Sequence, residues 1–155
     1  MPRLLLHSTA EAERNSTMEK FLGRFSPQLY AILRIIAGFV FLTYGTQKLF
    51  GMPAPLGGKA PASLPPLVMA AGIIELVCGL LILLGLLTGW AAFVASGEMA
   101  VAYFMGHFPQ HPMPVVNQGV PAVLFCFVFL YIASVGSGVW GLDSLFRSTA
   151  PPARE

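Results

Sequence analysis

Four long apolar runs dominate this chain, and they decide what it can become. They cover about Tyr30–Phe50, Leu67–Leu87, Trp90–Gly106 and Val120–Trp140. A helix needs roughly 20 mostly apolar residues to cross a bilayer. Each run reaches or approaches that length, the third being the shortest. Hydrophobic residues make up 55% of the 155 residues and charged residues only 10%. A soluble domain carries about 25% charged residues, so too few remain here to cover a water-exposed surface. The expected fold class is all-α, a transmembrane four-helix bundle embedded in the lipid bilayer.

The connections set the order of packing. Residues 51–66, GMPAPLGGKAPASLPP, form a Pro/Gly-rich loop that cannot be helical throughout. Thr88-Gly89 reads as a tight link, which makes the second and third helices an antiparallel hairpin. Residues 107–119, HFPQHPMPVVNQG, carry Pro109, Pro112 and Pro114. Pro121 falls in the first turn of the fourth helix, where a missing N–H costs little. The chain divides into a solvated tail over 1–28, a membrane domain over 29–143 and a C-terminal tail over 144–155. The short Leu run near Arg3 is interrupted too soon by acidic residues to be a signal peptide.

Lys and Arg orient the bundle. Four spans put both termini and the 88–89 turn on one side. That side holds Arg3, Arg14, Lys20, Arg24, Arg34, Arg147 and Arg154, against Lys48 and Lys59 on the other. The expected location is a bacterial-type inner membrane, multi-pass, with both termini cytoplasmic. Tyr30, Trp90 and Trp140 then fall near the cytoplasmic interface. The net charge of +2 and the lack of a basic block argue against a nucleic-acid partner.

Polar residues inside the runs carry the functional question. Glu75 and Glu98 each lie about 12 Å from the nearer end of their helices. A charge at the bilayer centre costs at least ~2.5–3.5 kcal/mol on insertion scales. Pairing favours the charged form of such a group and desolvation the neutral one. On the first helix Arg34, Gly38, Phe41, Gly45 and Lys48 recur at helical spacing, which places two cations and two glycines on one face. Gly72, Glu75, Gly79 and Ile82 repeat the pattern on the second helix, and Ala91, Ala95, Glu98 and Ala102 on the third. Depth suggests an Arg34–Glu98 structural ion pair in the cytoplasmic half. In the outer half it suggests a polar pocket of Lys48, Glu75 and His107 with Gln47 and Asn117. Glu75 is its floor, Lys48 an anion or carbonyl contact and His107 a proton exchanger. The alternative is that the charges only fix helix register.

Other candidates are weaker. Pro109 interrupts the helix that would align His107 with His111, so no metal site is assigned. Cys78 and Cys126 lie within apolar runs and resemble neither a disulfide framework nor a zinc site; small packing roles are usual for such residues. The phenylalanines of FCFVF, 125–129, read as lipid-facing bulk.

The segments LRIIAGFVFLTYGTQKLFG, ELVCGLLILLGLLTG, GEMAVAYFMGHFP and GSGVWGLD, in this order, resemble the DoxX family of small four-helix membrane proteins. The resemblance runs from about Leu33 to Leu145. It carries over Arg34, Gly45, Lys48, Gly51, Glu75, Gly79, Gly85, Tyr103, His107, Asn117 and Asp143. Two positions depart from the family pattern. Val120 stands where an acidic residue often follows the loop Asn, and Gly89 stands where a basic residue often follows the turn.

The resemblance implies a redox-linked membrane subunit that touches quinone or quinol and works with a membrane or soluble partner oxidoreductase, in a setting of oxidative stress. Quinone is the one cofactor it leaves open. The chain has no haem ligand pair, no CxxC and no flavin or dinucleotide fingerprint, so electrons would come from the partner. A non-catalytic scaffold or anchor for a partner complex is the alternative. A small-solute or proton transporter is a third reading, and with four helices it would need a homo-oligomer.

Overall fold

The computed structural model describes residues 17–147, with side chains described as far as Ser144. The chain is all-α, with no strand among the described residues. Residues 17–23 are helical and turn at Arg24 and Phe25. Helix α1 then runs Ser26–Phe50, α2 Pro66–Leu84, α3 Thr88–Ala102, α4 Val120–Val135 and a short α5 Leu142–Arg147. The first tail is therefore helical in its last third, and α1 begins before Tyr30. The tail segments 1–16 and 148–155, with Arg3, Arg14 and Arg154, lie outside the described residues.

Local sequence explains the ends. Pro27, Pro66 and Pro121 sit in the first turns of α1, α2 and α4, where a missing N–H leaves no bond unmade. Gly51 and Gly85 close α1 and α2 in the left-handed conformation, with φ of 69° and 70°, a region glycine enters without a Cβ clash. Gly85 thus ends α2 earlier than the apolar run does. The turn is Gly85-Leu86-Leu87, and Thr88 already belongs to α3. Helix α3 continues into a π-helical turn, Tyr103–His107. Helix α4 stops at Gly136, short of the expected Trp140.

Helices α1 and α2 are long and apolar enough to cross a membrane, and α4 is a shorter apolar helix. The closest pairs are α1 with α2 and α3 with α4, with α2 also against α3. Glycines set the α1–α2 spacing. A Cβ on Gly38 would lie 2.6 Å from the backbone N of Leu83, and one on Gly45 2.5 Å from that of Leu76. On the facing helix, a Cβ on Gly79 would lie 2.6 Å from the backbone N of Leu42. Backbone meets backbone at this crossing, as small residues permit in membrane helices.

The core is built from Phe41, Ile82, Ala92, Ala95, Phe129 and Ile132, all fully buried. Large apolar side chains such as Phe39, Ile73, Phe93 and Phe127 point outward. This corrects the reading of FCFVF as uniform lipid-facing bulk. Phe127 is 65% exposed, but Phe129 is buried, its ring edge-on to Phe41 at 4.6 Å. Phe125 is half-buried and stacks on Phe129. Ala122, Phe125, Phe129 and Ile132 recur at spacings of 3, 4 and 3, one helical face turned inward.

Candidate functional site

Lys48 stands half a turn from the end of α1, and Glu75 lies in the middle of α2. Gly72 lets them meet. A Cβ there would lie 2.9 Å from Lys48 Cβ, so its absence opens a path for the lysine stem along α2. Three residues on, Lys48 Nζ donates to Glu75 Oε1 at 2.5 Å. Glu75 is 1% exposed. Its other oxygen, Oε2, is buried and has no hydrogen-bond partner among the described residues.

Glu98, half-buried on α3, is the neighbour of this pair. It lies within electrostatic reach of both Glu75 and Lys48, and Cys78 on α2 lies within reach of Glu98. Its Oε2 is likewise buried without a partner among the described residues. Three helices therefore converge on one cation and two carboxylates.

The expected Arg34–Glu98 pair is not formed. Arg34 is fully buried, and its guanidinium serves the opposite end of the molecule. Nη1 donates to the carbonyls of Ile82 at 2.6 Å and Leu83 at 2.9 Å, and Nη2 to that of Trp140 at 3.2 Å. The last carbonyls of a helix have no partner within it, and they carry partial negative charge. Arg34 is thus a cap on α2 supplied by another helix. Asp143 completes this end. Its carboxylate accepts from the N–H groups of Leu87 at 2.9 Å and Thr88 at 3.1 Å, capping the start of α3. The Asp143 N–H donates to Gly85 O at 2.9 Å.

His107, at the end of the π-helical turn, meets Asn117 of the following loop, and neither bonds Lys48. His107 Nδ1 lies 3.0 Å from the Asn117 carbonyl. A carbonyl only accepts, so Nδ1 carries the hydrogen in the neutral ring and Nε2 presents its lone pair. Asn117 is buried; its Nδ2 donates to His111 O at 2.6 Å, and its Oδ1 accepts from the Gly119 N–H at 2.8 Å. Tyr103 Oη donates to Pro112 O at 2.8 Å. Gln47 Nε2 donates to Ala54 O at 3.1 Å and so fastens the α1–α2 loop. Of the five pocket residues, the structure joins Lys48 to Glu75 and His107 to Asn117. No hydrogen bond or ion pair among the described residues links the two sets.

Sequence reasoning missed Glu98 as a neighbour of Glu75, and Asp143 as a cap. The signal for the second was present: an acidic residue after the last span, opposite a turn that opens a helix. Cys78 and Cys126 are free, and Cys126 contacts Ser96 Oγ. Among the described residues no group of His, Cys, Asp or Glu is arranged to hold a metal ion.

Two helices long and apolar enough to cross a bilayer, outward apolar faces and ionisable groups held between the helices fit an integral membrane protein. The DoxX family model matches residues 29–108, and the chain belongs to that family. The matched stretch contains Arg34, Lys48, Glu75, Glu98 and His107. Asn117 and Asp143 lie beyond it and rest on their structural roles. The chain is 38% identical to an uncharacterised protein of Haemophilus influenzae, over 81% of this chain and 96% of that one. It is 42% identical to an uncharacterised membrane protein of Mycobacterium tuberculosis, over 87% of this chain and 93% of that one. No solved structure matches it.

Proposed function

We propose that this protein is a redox-linked membrane subunit that exchanges protons with a quinone or quinol through the Lys48–Glu75–Glu98 cluster. The observation that carries the reading is the pair of buried, unpartnered carboxylate oxygens beside one lysine. Ionisable groups inside a membrane domain are expensive and mark functional sites. Arg34 differs in directing Nη1 and Nη2 to three carbonyls, although its Nε is also buried without a partner among the described residues. Reduction of a quinone takes up two electrons and two protons, and oxidation of a quinol releases them. The partner oxidoreductase supplies or takes the electrons. Glu75 and Glu98 give and receive protons, and Lys48 steadies the charge on Glu75.

All four long helices cross the bilayer in this reading. The continuous run from Thr88 through His107 gives α3 and its π turn about 30 Å of length. Both termini are cytoplasmic in this reading, in a bacterial-type inner membrane, and the excess of Lys and Arg on that side supports it. The direct test is the absorbance spectrum of the purified protein's lipid extract. Co-purified quinone that is depleted in Glu75→Gln supports the reading. Absence of quinone from both, with saturable solute uptake in liposomes, would favour transport instead.

A second reading has its own observation: Lys48 neutralises Glu75 directly. On this reading the cluster only fixes helix register, and the protein is a scaffold for a partner complex. Then neither bound quinone nor uptake is found.

A further inference from the structure

The segment ahead of α1 belongs to neither polar cluster. Residues 17–23 form a helix, and a two-residue turn leads to Ser26. Every residue from 17 to 29 is exposed, so no other part of the described chain covers this helix. Its chemistry is nevertheless ordered. Met18, Phe21, Leu22 and Phe25 follow the i, i+3, i+4, i+7 spacing of one helical face, and all of them are exposed. Phe21 and Phe25 meet edge to face, with ring centroids 5.7 Å apart. Arg24 stands at the edge of that face, its guanidinium over the Phe21 ring, 5.4 Å from its centroid, and Lys20, one turn earlier, lies farther round toward the opposite side.

Position names the occupant. Helix α1 is a membrane-spanning element that starts at Ser26, and a two-residue turn reaches only ~7 Å. The short helix therefore lies at the membrane surface. An apolar face with Arg24 at its edge and Lys20 on the polar side matches the boundary between acyl chains and anionic headgroups. The Arg24 guanidinium over the Phe21 ring directs its N–H groups within its own plane, where a phosphate can accept from them. Glu19 on the same turn reduces the net positive charge to that of one residue, so the apolar face supplies the insertion and the cations the lipid preference.

We infer that residues 17–25, the short helix and its turn, form an interfacial segment that lies in the cytoplasmic leaflet surface, with Met18, Phe21, Leu22 and Phe25 in lipid and Lys20 and Arg24 toward anionic headgroups. This binding site for anionic lipid does not depend on any redox role. Each cation near an anionic surface strengthens attachment roughly fivefold.

Hydrogen exchange of the full-length protein in nanodiscs tests the inference. Amides of residues 18–25 should exchange about fivefold more slowly in phosphatidylcholine discs containing phosphatidylglycerol than in phosphatidylcholine alone, given a net charge of one cation. Lys20→Gln with Arg24→Gln should erase that difference, and Phe21→Ser with Phe25→Ser should remove protection in both discs. Exchange at the same rate in both discs would overturn the inference. So would protection that persists in detergent and rises with protein concentration, which would mean that a second copy covers the face.

Discussion

Glu98 has no hydrogen-bond or ion-pair partner among the described residues, although its Oε2 is buried. A buried unpartnered polar group costs about 1–3 kcal/mol. Glu98→Leu should therefore raise the thermal midpoint of the detergent-solubilised protein while impairing function, because functional sites are held at the expense of stability. A lower midpoint would mean that Glu98 has a structural partner. Lys48 and Glu75 behave in the opposite way. Lys48→Met leaves a buried carboxylate without its cation, at ~3–5 kcal/mol. Combining it with Glu75→Leu should cost less than the sum of the single changes. Strict additivity in this cycle, read from unfolding midpoints, would mean that the contact contributes nothing.

At the scale of elements, the crossing of α1 and α2 has no slack. Gly79→Ala drives a methyl group to 2.6 Å from the Leu42 backbone N, and overpacking of this kind costs ~1–3 kcal/mol. Gly97 has nothing within 4 Å, so Gly97→Ala should leave the unfolding midpoint unchanged or slightly higher. Equal losses at both positions would contradict the assigned packing. Asp143→Asn removes a charged cap from α3 and should cost ~1 kcal/mol, measured in the same way.

Much of this packing was legible beforehand. The glycine, Glu75 and Lys48 faces followed from helical spacing, because period alone decides which residues share a side. Arg34 was misassigned because depth gives no azimuth. Its sequence depth suits Glu98, but the end of α2 at Gly85 exposes carbonyls that compete for the guanidinium. The apolar residues of α4 carried too little contrast to show which face was inward, although the spacing of Phe125, Phe129 and Ile132 held the answer.

For the whole molecule, four crossings require that the α1–α2 loop and the C-terminus lie on opposite sides. Reporter fusions at Lys59 and after Arg154 should report the periplasmic and cytoplasmic sides respectively. Both on one side would remove a span and separate Lys48 from its proposed outer position. The central claim is that the charged cluster works rather than merely packs. The most direct measurement is quinone-linked electron transfer in membranes from cells lacking the protein and complemented with variants. Glu75→Gln and the double variant Lys48→Met/Glu75→Gln should both insert, accumulate and fail to restore transfer. A double variant that restores the wild-type rate would contradict the account, because a neutral pair would then serve as well as a charged one.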